Sequence, residues 1–181
     1  ILDRDALAEA MIGVDAVVHL AAQAHDVPFD ELIGPNVVGL FRVLSAAREA
    51  SVHRVVLASS IQVVGRREDD TGPAPTTAAS PANHYALTKV WAEQMGEMYA
   101  RRFGLSVIAA RIAWMVRNVE EAKKMQEWNR PELYLSRNDL GRTFAGFRFA
   151  FDDLLEVSQT QVLGQVFGVP VKLAQCIAQG H

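Results

Sequence analysis

Two kinds of apolar pattern alternate along this chain. Short apolar runs, typical of strands buried on both faces, occur at 16–20, 55–58, 105–110 and 165–169. Apolar positions at helical spacing occur over 5–12, 37–50, 84–103 and 137–151. The charged stretch 117–130 predicts a helix or a loop, and residues 170–181 have no interpretable pattern. The chain is therefore predicted to alternate strands with helices.

The residues at the element ends support this division. Asp5 is a predicted N-cap for the first helix, and Gly13 is its predicted stop. Pro35-Asn36 is expected to begin the second helix, and Gly104 to end the third. Residues 66–82 are rich in Asp, Thr, Pro and Ala, so they predict a long polar loop of the kind that often carries function.

Strands that alternate with helices of this length predict a parallel sheet in an α/β fold. In such sheets ligands bind beyond the carboxyl ends of the strands. Three segments follow predicted strands in this way: the small-residue loop 21–24, the pair Ser59-Ser60, and Arg111-Ile112. The sequence therefore predicts that these segments surround one site.

Composition narrows the function classes. A chain of 181 residues that is 50% hydrophobic can form one sizeable core. A net charge of −3 offers no footprint for nucleic acid or an anionic membrane surface. The single Cys176 excludes an internal disulfide and predicts no metal-ligand cluster. With no long apolar run and no signal-peptide pattern, we expect a cytoplasmic protein with neither nucleic-acid nor membrane partners.

The most informative feature is Tyr85-Ala-Leu-Thr-Lys89 at the start of a predicted helix. A Tyr and a Lys four residues apart share one helix face, so the ammonium can favour the phenolate by charge proximity. Ser60, at the tip of a neighbouring strand, can hydrogen-bond the same substrate oxygen. This set predicts proton transfer in alcohol/carbonyl chemistry. The alternative is that the Tyr and the Lys merely lie on a half-exposed amphipathic helix and have no catalytic role.

The ordered motifs resemble a known family. They are His19-Leu-Ala-Ala22, Asn36-Val-Val-Gly39, Ala58-Ser-Ser60, Tyr85-x-x-x-Lys89 and Arg111-Ile112. In this order they resemble the extended short-chain dehydrogenases/reductases, the NAD-dependent epimerase/dehydratase family. Within it the chain is most similar to the uronate-dehydrogenase-like branch, through Pro28–Glu31, Ser59–Gly65 and Tyr134–Asp139.

The resemblance implies a Rossmann-like doubly wound parallel sheet that lacks its first strands. It assigns 1–112 to a partial dinucleotide-binding domain with the catalytic residues. It assigns 113–181 to a substrate-side region partly woven into the same domain. The implied assembly is a homodimer through the helices at 36–50 and 84–103, with Trp91, Met95 and Met98 in the core or at the interface.

The resemblance also implies roles for individual residues. Tyr85 would be the general acid/base, Lys89 would lower its pKa, Ser60 would hold the substrate oxygen, and Asn36 would anchor a water or a helix distortion in the proton relay. Hydride would pass between substrate and NAD or NADP. The implied cofactor-binding residues are Ile1, Leu20, Ala21, Ala22, Ala58, Ser59, Tyr85, Lys89 and Ile112. The implied substrate-binding residues are Ala24, Ser60, Ile61, Gln62 and Trp114.

Two departures from the family pattern qualify these expectations. The Gly-rich dinucleotide loop is absent from this sequence, so the chain is expected to hold the catalytic half without the main cofactor clamp. Ala24, Ile61, Gln62 and Trp114 stand where uronate dehydrogenases hold the sugar acid with polar residues. We therefore expect a less polar ketone or another sugar derivative rather than a uronate.

Several alternatives stay open at this point. Epimerase chemistry would return the hydride within one turnover, whereas Ile61 and Gln62 replace the acidic pair that dehydratases carry. A non-catalytic binding or regulatory protein, or an inactive fragment, could keep the same scaffold. His19 is expected to be a structural histidine, and Arg111 to cap its strand or brace a loop.

Overall fold

A computed structural model describes residues 1–24, 27–65, 77–115, 118–128 and 163–167. In these residues one four-stranded sheet has the order β1-β2-β3-β4. Its strands are β1 Ala16–His19, β2 Arg54–Ser60, β3 Ser106–Ile112 and β4 Leu163–Phe167. The first three are parallel, and β4 runs antiparallel to β3. The predicted α/β fold with a parallel sheet is confirmed.

The described helical elements differ from the predictions mainly around Asn36. The α-helices are α1 Arg4–Ala10, α2 Phe29–Leu32, α3 Leu40–Glu49, α4 His84–Phe103 and α5 Val119–Trp128. A π-helical segment, Ile33–Gly39, joins α2 to α3, so the predicted beginning of a helix at Pro35-Asn36 is wrong. Pro35 cannot donate a backbone N–H, and its ring crowds the preceding turn, which the wider π-helical turn relieves.

Side chains cap the starts of α1 and α4. Asp3, rather than the predicted Asp5, caps α1, because its Oδ1 accepts hydrogen bonds from the N–H groups of Asp5 and Ala6, each at 3.0 Å. Asn83 caps α4 by accepting the Ala86 N–H at 2.8 Å. At the other end Gly104 takes a left-handed φ of +70°, which ends α4 at the predicted residue.

Helix α4 lies directly on β2 and β3. A Cβ added at Gly96 would come within 2.9 Å of both Leu57 Cδ1 and Val107 Cγ1. A larger side chain at this position would therefore force these two side chains, or the helix, to shift. The hydrophobic core on this side of the sheet consists of Met11, Val17, Leu40, Val43, Leu44, Ala47, Val52, Val55, Leu57, Ala92, Tyr99, Leu105 and Val107. The contact at Gly96 brings α4 close to β2 and β3.

Some predictions lie partly or wholly outside the described residues. These are most of the loop 66–82, the helix over 137–151, residues 168–169 of the last strand, and 170–181. The described part of the last strand begins at Leu163, two residues before the predicted start. Within the described ranges, no helix is both long and apolar enough to cross a membrane.

Candidate active site

The carboxyl ends of the three parallel strands meet at one edge of the sheet. His19 at the end of β1 is level with Leu57 on β2, and Ser60 at the end of β2 is level with Ile112 on β3. The first turn of α4 carries Tyr85 beside Ser60. The structure thus gathers residues that are far apart in sequence at the edge where ligands of parallel sheets bind.

The Ser60 side chain lies next to the phenol of Tyr85. Burial raises the pKa of Tyr85 above its ordinary value of 10.0, and the polar Ser60 hydroxyl beside it opposes this rise. The net shift is therefore upward, unlike the lowering expected from Lys89. Near neutral pH the phenol of the free chain carries its proton.

Lys89 is buried one turn further along the same face of α4. Its Nζ donates a hydrogen bond to the Ala58 carbonyl at 2.7 Å and lies 5.6 Å from the centre of the Tyr85 ring. Burial lowers the pKa of Lys89 from 10.5 to about 8. The bond to Ala58 compensates part of the cost of burying the ammonium, and it holds the charge close to the phenol.

His19 is a third titratable group at this edge. Burial, together with the nearby Lys89 charge, lowers the pKa of His19 from 6.5 to about 4. Its imidazole is therefore neutral at physiological pH. A half-buried, neutral histidine at the end of a strand agrees with the predicted structural role.

Asn36 connects the loop after β1 to α4. Its Oδ1 accepts the Gln23 N–H at 2.7 Å, and its Nδ2 donates to the Gln23 carbonyl at 3.0 Å and to Thr88 Oγ1 at 3.1 Å. The Thr88 hydroxyl donates to the Tyr85 carbonyl at 2.7 Å. Asn36 is buried within the π-helical segment, so a helix distortion does accompany it. Its part in a proton relay stays a prediction.

A buried ion pair lies behind these residues. Arg111 donates from Nε to Glu93 Oε1 at 2.9 Å and from its terminal nitrogen to Oε2 at 2.8 Å. The Ser59 hydroxyl donates to Oε1 of the same carboxylate at 2.5 Å. Arg111 also donates to the Thr77 carbonyl at 2.8 Å, in agreement with the prediction that it braces a loop. This cluster ties α4 to both β2 and β3.

The other predicted site residues take a range of positions. Ile1 packs against Gly39 of the π-helical segment. The remaining ones lie at the strand ends or just beyond them: Leu20, Ala21, Ala22 and Ala24 after β1, Ala58 in β2, Ile61 and Gln62 in the turn after β2, and Ile112 and Trp114 at or after the end of β3. Leu20, Ala24 and Trp114 are exposed. Contact of any of these with a cofactor or substrate stays a prediction.

Three residues of this network were not anticipated from the sequence. Glu93 lies four residues after Lys89 and eight after Tyr85, so helical periodicity alone places it on their face. Asn83 directly precedes α4, where the N-cap preference for Asn was a usable signal. Nothing local marks Thr88, whose partner Asn36 is fifty-two residues away in the sequence.

This arrangement can exchange a proton with an oxygen atom placed beside Tyr85 and Ser60. The phenol is the donor near neutral pH, the serine hydroxyl can orient the same oxygen, and the ammonium of Lys89 favours the phenolate once the proton has left. Asn36 and Glu93 fix the elements that carry these groups. The described residues thus have the groups and the arrangement that an acid/base site requires.

Comparison with known proteins agrees with this geometry. The model of the "NAD dependent epimerase/dehydratase family" matches residues 1–128. A uronate dehydrogenase of Pseudomonas syringae is 31% identical over 140 residues, which are 77% of this chain and 49% of the relative. An L-arabinose 1-dehydrogenase (NAD(P)(+)) of Haloferax volcanii is 36% identical over 138 residues, covering 69% and 54%. The chain spans about half the length of these relatives.

Solved structures give the same fold. A mutant of the uronate dehydrogenase from Agrobacterium tumefaciens, complexed with NAD, has a TM-score of 0.67 at 22% identity and covers 94% of this chain and 57% of that one. MoeE5 in complex with UDP-glucose and NAD has a TM-score of 0.58 at 31% identity, covering 63% and 40%. The predicted Rossmann-like architecture is confirmed. With its sheet, its ordered motifs and a family model that matches most of its length, this chain belongs to the NAD-dependent epimerase/dehydratase family.

Proposed function

We propose that this chain carries the catalytic residues of an NAD(P)-dependent oxidoreductase that acts on an alcohol or carbonyl group of a sugar-like substrate. The observation that supports it most is that Ser60, Tyr85 and Lys89 lie together at the carboxyl edge of a parallel sheet, with Lys89 Nζ 5.6 Å from the centre of the Tyr85 ring. That set supplies the proton half of a hydride transfer.

The residues at the strand ends fit a nicotinamide cofactor. Ala21 and Ala22 have small side chains that leave the backbone approachable, and Leu20 beside them offers an exposed apolar surface. Lys89 would hold the ribose, with Ala58, Ser59 and Ile112 beneath it. When bound, NAD or NADP supplies the hydride acceptor or donor. Family membership and the NAD named for two solved relatives support this assignment.

Tyr85 moves the proton in either direction of the reaction. In carbonyl reduction the protonated phenol donates to the substrate oxygen, while Ser60 hydrogen-bonds that oxygen. In alcohol oxidation the phenolate must form first, and the neighbouring Lys89 charge stabilises it. Burial raises the pKa of Tyr85, so oxidation by this site should speed up as pH rises above neutrality.

The substrate class follows from the relatives and from the residues near Ser60. Relatives named for uronates and for L-arabinose support a sugar-like substrate. Ala24, Ile61 and Trp114 offer no charged partner for a carboxylate, which would lose its hydrogen bonds to water on burial. We therefore propose a neutral sugar derivative or ketone in preference to a uronate.

The decisive test is turnover by the purified chain and its Tyr85→Phe variant. NAD⁺ and NADP⁺ are first titrated calorimetrically, and then L-arabinose and D-glucuronate are offered while absorbance of reduced nicotinamide is followed. We expect Tyr85→Phe to lose about 10²–10⁴-fold in kcat with its fold retained. Equal turnover by both forms would contradict the proposal. Turnover of a sugar without accumulation of reduced nicotinamide would instead indicate epimerisation.

We also propose a homodimer formed through α3 and α4 in a cytoplasmic protein. Phe41, Trp91 and Met98 are exposed apolar side chains on these two helices. A chain with one cysteine suits a reducing compartment. Sedimentation equilibrium at micromolar concentration tests the dimer, and a single monomeric species would contradict it.

A further inference from the structure

The side-chain amide of Asn83 has one permitted orientation. Its Oδ1 accepts the Ala86 N–H at 2.8 Å, the bond that caps α4. An amide nitrogen donates and does not accept, so Nδ2 could not take this place. Nδ2 is therefore the group that Asn83 has left for another partner.

That partner is Gln62, in the turn that follows β2. Asn83 Nδ2 donates to Gln62 Oε1 at 2.9 Å. A reversed Gln62 would place two donors against each other, so the orientation of Asn83 dictates that of Gln62. In the part of the chain that the structure describes, Gln62 Nε2 has no hydrogen-bond acceptor. Its two hydrogens remain available to a ligand.

Gln62 lies next to the acid/base residues. Its backbone N–H donates to Ser60 Oγ at 3.2 Å, while Asn83 precedes Tyr85 by two residues. The Gln62–Asn83 bond therefore bridges the two segments that carry Ser60 and Tyr85. Gln62 as a residue is half-buried, so part of its surface stays open to a ligand.

We propose that Gln62 is a specificity residue that donates a hydrogen bond from Nε2 to an acceptor oxygen of the substrate, and that Asn83 is the positioning residue that fixes this polarity. The proposal rests on the proposed oxidoreductase function. The acceptor can be a ring, carbonyl or carboxylate oxygen. A substrate group that only donates is disfavoured at this position.

Asn83→Asp is the variant that reverses the polarity. Aspartate keeps the N-cap, but its second oxygen only accepts, so Gln62 should turn Nε2 toward it and present Oε1 to the substrate. Asn83→Ser keeps the cap without fixing Gln62 and serves as the matched control. Gln62→Met removes the amide at similar length.

The polarity is read in the free protein by NMR of the side-chain amides. We expect hydrogen-bonded proton shifts for Asn83 Nδ2 and solvent-like shifts for Gln62 Nε2, with the Gln62 signals moving downfield in Asn83→Asp. Hydrogen-bonded Gln62 signals in the unmodified chain would overturn the proposal. This measurement needs no turnover, so its outcome is separate from that of the proposed function.

The role in specificity is read with L-arabinose and D-glucuronate as probes. We expect Gln62→Met to raise KM about tenfold with little change in kcat, Asn83→Asp to raise it at least as much, and Asn83→Ser to raise it less. On neutral L-arabinose, Asn83→Asp should add nothing in the Gln62→Met background. The two probes tell a carboxylate acceptor from a ring or hydroxyl oxygen.

Two further outcomes decide the matter. An unchanged KM for Gln62→Met on every probe that is turned over, or full additivity of the two substitutions, would overturn the proposal. If the unmodified chain turns over neither sugar, the same probes are titrated in the presence of NAD⁺ while the Gln62 amide signals are followed. A shift would then support the proposal, and its absence would overturn it.

Discussion

The two faces of α4 reverse the usual distribution of polar and apolar side chains. The face on the sheet carries Lys89 and Glu93, which are 7% and 5% exposed. The face toward solvent carries Trp91 and Met98, which are 38% and 44% exposed. An amphipathic helix would ordinarily place these groups the other way round.

The difference shows what makes buried charge tolerable. Every polar group on the inner face has a partner that was placed by another element: Ala58 for Lys89, Arg111 and Ser59 for Glu93, and Asn36 for Thr88. The outer face needs no such partners, because water or another chain can cover it. The side chains of the inner face are therefore tied to specific partners, whereas those of the outer face are not.

Replacing Lys89, the inner-face charge nearest Tyr85, should give the largest change in activity. We expect Lys89→Met to lower kcat about 10²-fold or more, because the phenolate loses its stabilising charge. The free energy of unfolding at pH 7 should change by only about 1 kcal/mol. The lost bond to Ala58 is offset, because a buried ammonium whose pKa has fallen to about 8 no longer has to be desolvated. Parallel kinetics and urea denaturation check this. A large stability loss with kcat unchanged would contradict it.

Removing one partner of the buried Glu93–Arg111 ion pair should have the second-largest effect, a loss of stability. Glu93→Gln leaves the Arg111 guanidinium incompletely paired, and we expect a loss of about 3 kcal/mol in the free energy of unfolding. The matched control is Glu97→Gln, which breaks the surface pair with Arg101 on the same helix. That loss should stay below about 0.5 kcal/mol. Equal losses in urea denaturation would show that burial is not what distinguishes the two pairs.

Because His19 is neutral in the folded chain, we expect the free energy of unfolding to fall at acidic pH. The pKa is about 4 in the folded chain and 6.5 when unfolded, so the unfolded state binds the extra proton between these values. Stability should fall as pH drops from 6.5 to 4, by at most about 3 kcal/mol.

The His19→Gln variant should lose most of this decrease in stability between pH 6.5 and pH 4. The His53→Gln variant, at an exposed histidine, should keep it. Thermal unfolding across this pH range measures it. In Lys89→Met the pKa of His19 should rise, because the nearby Lys89 charge is one of the causes that lower it. If His19→Gln loses as much stability at acidic pH as the unmodified chain does, His19 is not the cause of that loss.

The outer face should give the smallest effect. Met98→Gln should change the free energy of unfolding by about 0.5 kcal/mol or less, because this side chain is exposed. Met95→Gln, on the same helix but packed against the core, should lose about 1–2 kcal/mol. If α4 forms the dimer, Met98→Gln will also weaken association in sedimentation. If Met98→Gln loses as much unfolding free energy as Met95→Gln, the outer face of α4 is not exposed to solvent in the monomer.

Most of the fold could be predicted because its signals are local. The apolar runs at 16–20, 55–58 and 105–110 and the helix from His84 to Phe103 depend on neighbours in the sequence, and they correspond to β1, β2, β3 and α4. The cap of α1 and the beginning of the second helix were wrong, because several polar residues compete for a cap and Pro35 favours a π-helical turn.

The catalytic candidates Tyr85, Lys89 and Ser60 were also accessible from the sequence, through four-residue helical spacing and the strand tip. The direction of the Tyr85 pKa shift was not. It depends on how much water the fold excludes from the phenol, and burial outweighs the effect of the nearby Ser60 hydroxyl.

The sequence by itself determined the order of elements, the parallel sheet and the family, because these follow from periodicity and short motifs. Only the tertiary structure decided the partners: Asn36 with Thr88, Glu93 with Arg111, and Asn83 with Gln62. These pairs join residues 18 to 52 positions apart. A hydrogen bond requires atoms to meet within about 3 Å, and only the packed chain sets that distance.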